Sequence, residues 1–78
     1  MGSPVVFLSE LKKGQKGLID SFTDYELSLK LLEMGCIPGD PIEVIRIAPL
    51  GDPIAVAVAG YMLSLRRGEA ATVRIKMG

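Results

Sequence analysis

Apolar and polar residues change period several times along this chain, and each change marks an element. Gly17 to Phe22, GLIDSF, gives a first strand with weak alternation. Leu27, Leu31 and Met34 then fall at i, i+4 and i+7, the apolar stripe of a helix spanning about residues 24–34. Thr23-Asp24-Tyr25-Glu26 fits a capping box ahead of that helix, with Glu26 at its third position, and Gly35 stands where a left-handed terminating residue belongs. Glu26 and Lys30 form an i, i+4 pair in the favourable order. Leu29 and Leu32 widen the apolar surface beyond the stripe, which leaves a face free to meet a second partner.

The second half of the chain reads as β structure. In Pro41 to Ala48 both phases are apolar, Ile42 and Val44 on one face and Ile45 and Ile47 on the other. Such a strand is buried on both faces or bends so that its phase changes, and strong bending suits a small barrel. Ile54, Val56 and Val58 alternate with Ala55, Ala57 and Ala59, and the alanine face allows another surface to approach closely. Tyr61 to Arg66 returns with Leu63 and Leu65 inward, and Thr72 to Met77 closes with Val73, Ile75 and Met77 inward. Short helical turns are expected near residues 9–13, capped by Ser9 and ended by Gly14, and near 67–71. The expectation is a single mainly β domain over residues 1–78, a small, strongly bent barrel of about five antiparallel strands with one inserted helix. Residues 1–6 are expected to be a loosely ordered N-terminus.

Charge and composition narrow the function classes. Nine basic residues balance nine acidic ones, so no broad field attracts nucleic acid or anionic lipid, and little repulsion opposes self-association. Two Phe, two Tyr and no Trp give poor material for stacking on bases. No stretch approaches the ~20 apolar residues of a membrane helix, and no secretory leader pattern is present, so the default is a cytoplasmic protein.

The candidate chemistry is sparse. The chain has one cysteine and no histidine, which rules out a zinc or Fe–S site built within one chain and removes the commonest general base. That leaves Cys36 as a small core hydrophobe first, with a reactive thiol or an intermolecular role as alternatives. The carboxylates show no ligand spacing, and the cluster of Arg66, Arg67, Arg74 and Lys76 reads first as a solvated barrel edge. No phosphate loop occurs and no nucleophile–base–orienter set can be assembled, so an enzyme is not expected.

Taken in order, the stretch LLEMGCIPGDPIEVIRIAPLGDPIAVAVAGYMLSLRRGEAATVRI resembles the FeoA family of bacterial ferrous iron uptake. The likeness rests on Leu31-Leu32-Glu33-Met34-Gly35, Ile37-Pro38-Gly39, Ala48 to Pro53, and Leu63-Ser64-Leu65-Arg66 before Glu69-Ala70. The opening LSELKKGQKG fits as well. The resemblance implies an SH3-like barrel with a helix inserted after the first strand. It also implies a cytosolic, non-enzymatic accessory role beside FeoB, the membrane GTPase-permease, without insertion of this chain into the membrane. In that light Gly35, Cys36, Ile37, Pro38 and Gly39 form an architectural corner, with Cys36 and Ile37 packed beneath the helix end.

Two surfaces are candidates for the partner contact. One is the loop Pro49, Leu50, Gly51, Asp52 and Pro53, with Leu50 as an exposed anchor unless it folds back on the barrel end. The other is the outer helix face with Tyr25, Leu29 and Leu32, unless the two leucines are ordinary core. No cofactor is expected, and the competing class is a sensor that binds Fe²⁺ or Mn²⁺ directly. A nucleic-acid-binding SH3-like module ranks third. Self-association through the face of Ala55, Ala57 and Ala59 is a subsidiary expectation.

Overall fold

The computed structural model describes residues 4–77. Its elements are β1 (Val5–Phe7), a 3₁₀ turn (Leu8–Glu10), β2 (Lys16–Phe22), α1 (Tyr25–Met34), β3 (Pro41–Ile47), β4 (Ile54–Val58), β5 (Tyr61–Leu65), α2 (Arg67–Ala70) and β6 (Val73–Lys76). The strands form one sheet in the order β1-β6-β2-β3-β4-β5, with every neighbouring pair antiparallel. The expected mainly β, bent architecture with one inserted helix is what forms. It has six strands rather than about five, because Val5 and Val6, expected to be loosely ordered, pair with Lys76 and Ile75. Residues 1–3 of that expected loose terminus lie outside the described residues. The sheet curls round its core without closing, since β1 and β5 are its two ends.

Bending comes from two bulges. In β3 the register against β4 shifts between Val44 and Arg46, so Ile45 is the extra residue. Before the bulge Ile42 and Val44 point into the core; beyond it Ile47 pairs with the buried Ile54 and packs against the same core. The double apolar phase of this strand is therefore a change of phase at one kink. A matching shift in β2 lies between Ile19 and Ser21 against β6, with Asp20 the extra residue.

The core gathers Leu8, Leu11, Ile19, Leu31, Cys36, Ile42, Val44, Ile54, Val56, Val58, Leu65, Ala70, Val73 and Ile75. Ala59 does not continue the alanine face of β4. It takes φ 49° and Gly60 φ 87°, the left-handed pair that a two-residue hairpin turn requires. The first helical turn also sits earlier than expected. It starts at Leu8 rather than Ser9, and Glu10 Oε1 accepts from the Phe7 N–H at 2.9 Å in place of a serine cap. Thr23 is likewise not the cap of α1; Asp24 is, its Oδ1 accepting from the Leu27 N–H at 3.0 Å.

Gly17 lets β2 lie close against β6. A Cβ placed there would lie 2.6 Å from Ile75 Cγ2 and 2.8 Å from the Lys76 carbonyl oxygen. The obstacle includes backbone, so it cannot swing aside, and β2 would have to part from β6. Gly17→Ala is expected to destabilise the domain by about 1–3 kcal/mol, read as a lowered denaturant midpoint. Gly14→Ala, where a Cβ meets nothing within 4 Å but φ is 88°, separates conformational strain from this overlap.

Candidate functional site

The corner after α1 is built by hydrogen bonds. Gly35 adopts φ 104° and its N–H donates to the Leu32 carbonyl at 3.1 Å, while the Cys36 N–H donates to the Leu31 carbonyl at 2.9 Å. This double return is the Schellman arrangement, in which the residue after the glycine commonly packs back on the helix. Cys36 fills that role, buried in the same core cluster as Leu31. Ile37 does not pack beneath the helix as expected; it is 50% exposed. It opens a turn closed by the Asp40 N–H to the Ile37 carbonyl at 3.0 Å, with Pro38 and Gly39, φ 96°, in the middle. Backbone bonds from the Gly39 N–H to the Ile19 carbonyl and from the Ile19 N–H to the Asp40 carbonyl fasten this turn to β2.

Helix α1 has an apolar face toward the core and another toward solvent. Leu31 is buried in the core and Met34 packs against it, while Leu27, on the same stripe, is half-buried. Tyr25, Leu29 and Leu32 follow the same spacing two residues out of phase, roughly 200° round the helix. Leu29 is 48% and Leu32 41% exposed, so neither is ordinary core, and Tyr25 is more exposed still. Glu26 and Glu33 flank this outward stripe on one side.

The Pro49–Pro53 loop projects. A turn closes with the Gly51 N–H on the Ala48 carbonyl at 2.7 Å, which puts Leu50 at its tip, 93% exposed and not folded back. Asp52 and Pro53 anchor its return: Asp52 Oδ1 accepts from the Arg67 N–H at 3.2 Å, and the Pro53 carbonyl accepts from the Ala48 N–H. Beside the loop Arg46, Ala48, Pro53, Ala55 and Ser64 line a shallow depression of about 270 Å³.

The sequence reading did not foresee that α2 holds both surfaces. Lys30 pairs not with Glu26 but with Glu69, Nζ to Oε2 at 2.7 Å, and so ties α1 to α2. The other oxygen of Glu69 accepts from the Arg66 N–H at 2.9 Å, and the next N–H, that of Arg67, goes to Asp52. The motif Arg66-Arg67-Gly68-Glu69 thus bolts the outer helix and the projecting loop to one element. A spacing of 39 residues hides the Lys30–Glu69 pair from any local rule. Elsewhere in the basic cluster Arg74 Nη1 donates to Ser21 Oγ. Among the described residues no three His, Cys, Asp or Glu side chains converge as metal ligands would.

Two titrating groups follow from this geometry. The Lys30 ammonium, and then the Arg66 N–H, hold the Glu69 carboxyl below the ordinary value of 4.5. A lowered folded-state pKa gives stability that is complete above the ordinary value and lost as pH falls through the lowered one. Glu69→Ala should therefore cost about 1 kcal/mol at neutral pH, with the gap to wild type narrowing below pH 4.5 in denaturant titrations. Burial, and secondly the Glu69 carboxylate, push the Cys36 thiol above its ordinary 9.0. Native protein at pH 8 should react with an alkylating reagent orders of magnitude more slowly than unfolded protein. Rapid native labelling would show that the corner opens.

Comparison with known proteins agrees with this architecture. A family model described as the FeoA domain matches residues 6–77. A Fe(2+) transport protein A/Fe(2+) transporter FeoB fusion protein of Porphyromonas gingivalis is 37% identical over 71 residues, 90% of this chain. This chain spans only 8% of that protein's length. The solution structure of a FeoA-like protein from Clostridium acetobutylicum superposes with a TM-score of 0.88 at 31% identity, covering 99% of this chain and 90% of the other. At the level of fold, the zinc complex of Stenotrophomonas maltophilia FeoA, described as a prokaryotic SH3 domain protein, matches with a TM-score of 0.75 at 24% identity. It covers 94% of this chain and 99% of that one. The SH3-like fold, the glycine-ended helix and the Pro-Gly corner meet a family model that runs almost the full length of the sequence, and this chain belongs to the FeoA domain family.

Proposed function

We propose that this domain is a non-enzymatic accessory module of ferrous iron uptake that docks on the cytosolic part of a FeoB-type transporter and adjusts its activity. The observation that carries the reading is the joining of two outward apolar surfaces through α2. Tyr25, Leu29 and Leu32 lie on the helix that Lys30 binds to Glu69, and Leu50 lies at the tip of the loop that Asp52 binds to Arg67. A domain with no partner gains nothing from apolar side chains exposed to water, whereas a docking module gains anchors carried on backbone whose place is already fixed, so that less ordering is left to pay on binding. The kind of partner is supported by the Porphyromonas gingivalis protein, which by its description joins transport protein A to FeoB in one fusion protein. Such linkage raises the effective concentration of two parts that work together. No described helix is long and apolar enough to cross a membrane, which fits a module that meets its transporter from the side.

The test is a binding titration of this domain against the cytosolic part of the FeoB of the same organism, in GDP and in a non-hydrolysable GTP analogue. Leu50→Asp, and separately Leu29→Asp with Leu32→Asp, are expected to keep the fold by circular dichroism. At least one of them should weaken binding tenfold or more, since buried apolar anchors carry most of an interface's energy, about 2 kcal/mol or more each. Unchanged binding by both would move the contact elsewhere on the domain. Absence of wild-type binding in either nucleotide state would overturn the docking reading.

A further inference from the structure

The two ends of the sheet are treated differently. Strand β1 is three residues long, begins next to Pro4, which has no N–H, and its Phe7 N–H is taken by Glu10. These are the usual means of blunting an edge. Strand β5, Tyr61-Met62-Leu63-Ser64-Leu65, has none of them. It is five residues long, with no proline, no register shift and no side chain on its outward N–H groups, and it pairs with β4 on one side and no described strand on the other.

Two independent constraints fix the hydrogen-bonding phase of that free edge. Val58 and Tyr61 flank a two-residue turn and so form a bonded pair, which makes Val56–Leu63 and Ile54–Leu65 bonded pairs as well. Independently, the Val44 N–H and carbonyl are engaged by Gln15 and Gly14, so Val44 does not spend them on Val56. Val56 therefore turns its groups to Leu63. Both constraints leave the N–H and carbonyl of Met62 and of Ser64 pointing away from β4, on residues that are both exposed. The next outward N–H, that of Arg66, is already held by Glu69, so the open frame is limited to these two residues.

We propose that two copies of this chain pair antiparallel through β5 about a two-fold axis at Leu63. In this register Met62 of one copy faces Ser64 of the other, each pair exchanging two backbone bonds, and the reverse pair repeats it. A two-fold centred on Met62 would need Gly60, which is held at φ 87° in the turn, and one centred on Ser64 would need the occupied Arg66 N–H. The frame is thus self-complementary in a single register. Side chains agree with it. The row Glu43–Ala57–Met62 of one copy continues into Ser64–Ala55–Arg46 of the other, so small and apolar groups meet at the seam and charges of opposite sign close the ends. Arg66 of the two copies lies at opposite ends of the ribbon. A net charge of zero adds no long-range repulsion. The self-association expected from the alanine face is thereby moved to the strand beside it.

Sedimentation equilibrium from about 10 μM to about 1 mM reads the association directly, in the range of a small, transient interface. Wild type is expected to shift from monomer to dimer across that range. Ser64→Pro removes one outward N–H without touching the β4 ladder, and Met62→Lys leaves the backbone intact while adding an edge charge. Both should stay monomeric at the top concentration; if Ser64→Pro does not fold, Met62→Lys decides. A mixture of Met62→Cys and Ser64→Cys proteins should oxidise to the mixed disulfide in excess over either homodimer, which reports the register. A wild type that is monomeric throughout, or a dimer kept by Met62→Lys, overturns the proposal.

Discussion

A sheet of strands three to seven residues long can bury a core only if it bends, and the rest of this molecule follows from how it does so. Ile45 and Asp20 are extra residues placed in β3 and β2, and each turns its strand at mid-length. The bends let one sheet supply two facing walls, from which Val44 and Val56 meet Ile19 and Ile75 in one cluster. Gly17 brings β6 onto β2 more closely than any side chain would permit. Leu31 of α1 and Cys36 of the corner after it are buried in the same cluster, which joins the helix to the core of the sheet.

Much of this could be read from the sequence because local rules govern it. The double apolar phase of Pro41–Ile47 announced a bend, and Gly35 before Cys36 announced a left-handed helix end; the structure gives both their hydrogen bonds. The strictly alternating Ile54–Val58 could hardly be anything but a strand with one buried face. Errors arose where two local rules competed. Thr23 and Asp24 are both good caps, and the second took the position because its carboxylate reaches Leu27. Ala59 continued the alternation in letters, but the turn needed a left-handed pair and took it with Gly60.

The candidate site was legible in part only. Exposure of Leu50 follows from a turn bracketed by prolines, and the outward stripe of α1 is visible once the inward one is fixed. Their fastening was not visible. Lys30 had a sequence-near carboxylate in Glu26 and used Glu69 instead, because α2 brings that group against α1 and its second oxygen is already held by the Arg66 N–H. An ion pair whose acid is pre-positioned costs less side-chain entropy than one between two free residues on a helix surface.

The same element sets what the two ends of the molecule can do. Because Glu69 caps Arg66, β5 stops donating at Ser64, so its open edge is short enough to favour a limited pairing over an extended fibre. Because the next N–H binds Asp52, the loop carrying Leu50 is held against the following helix instead of swinging over the edge. Four residues, Arg66 to Glu69, therefore separate a backbone surface suited to another copy of this chain from a side-chain surface suited to a different partner. A pairing at β5 would leave Leu50, Leu29 and Leu32 on other elements, so self-association and docking need not compete for the same groups.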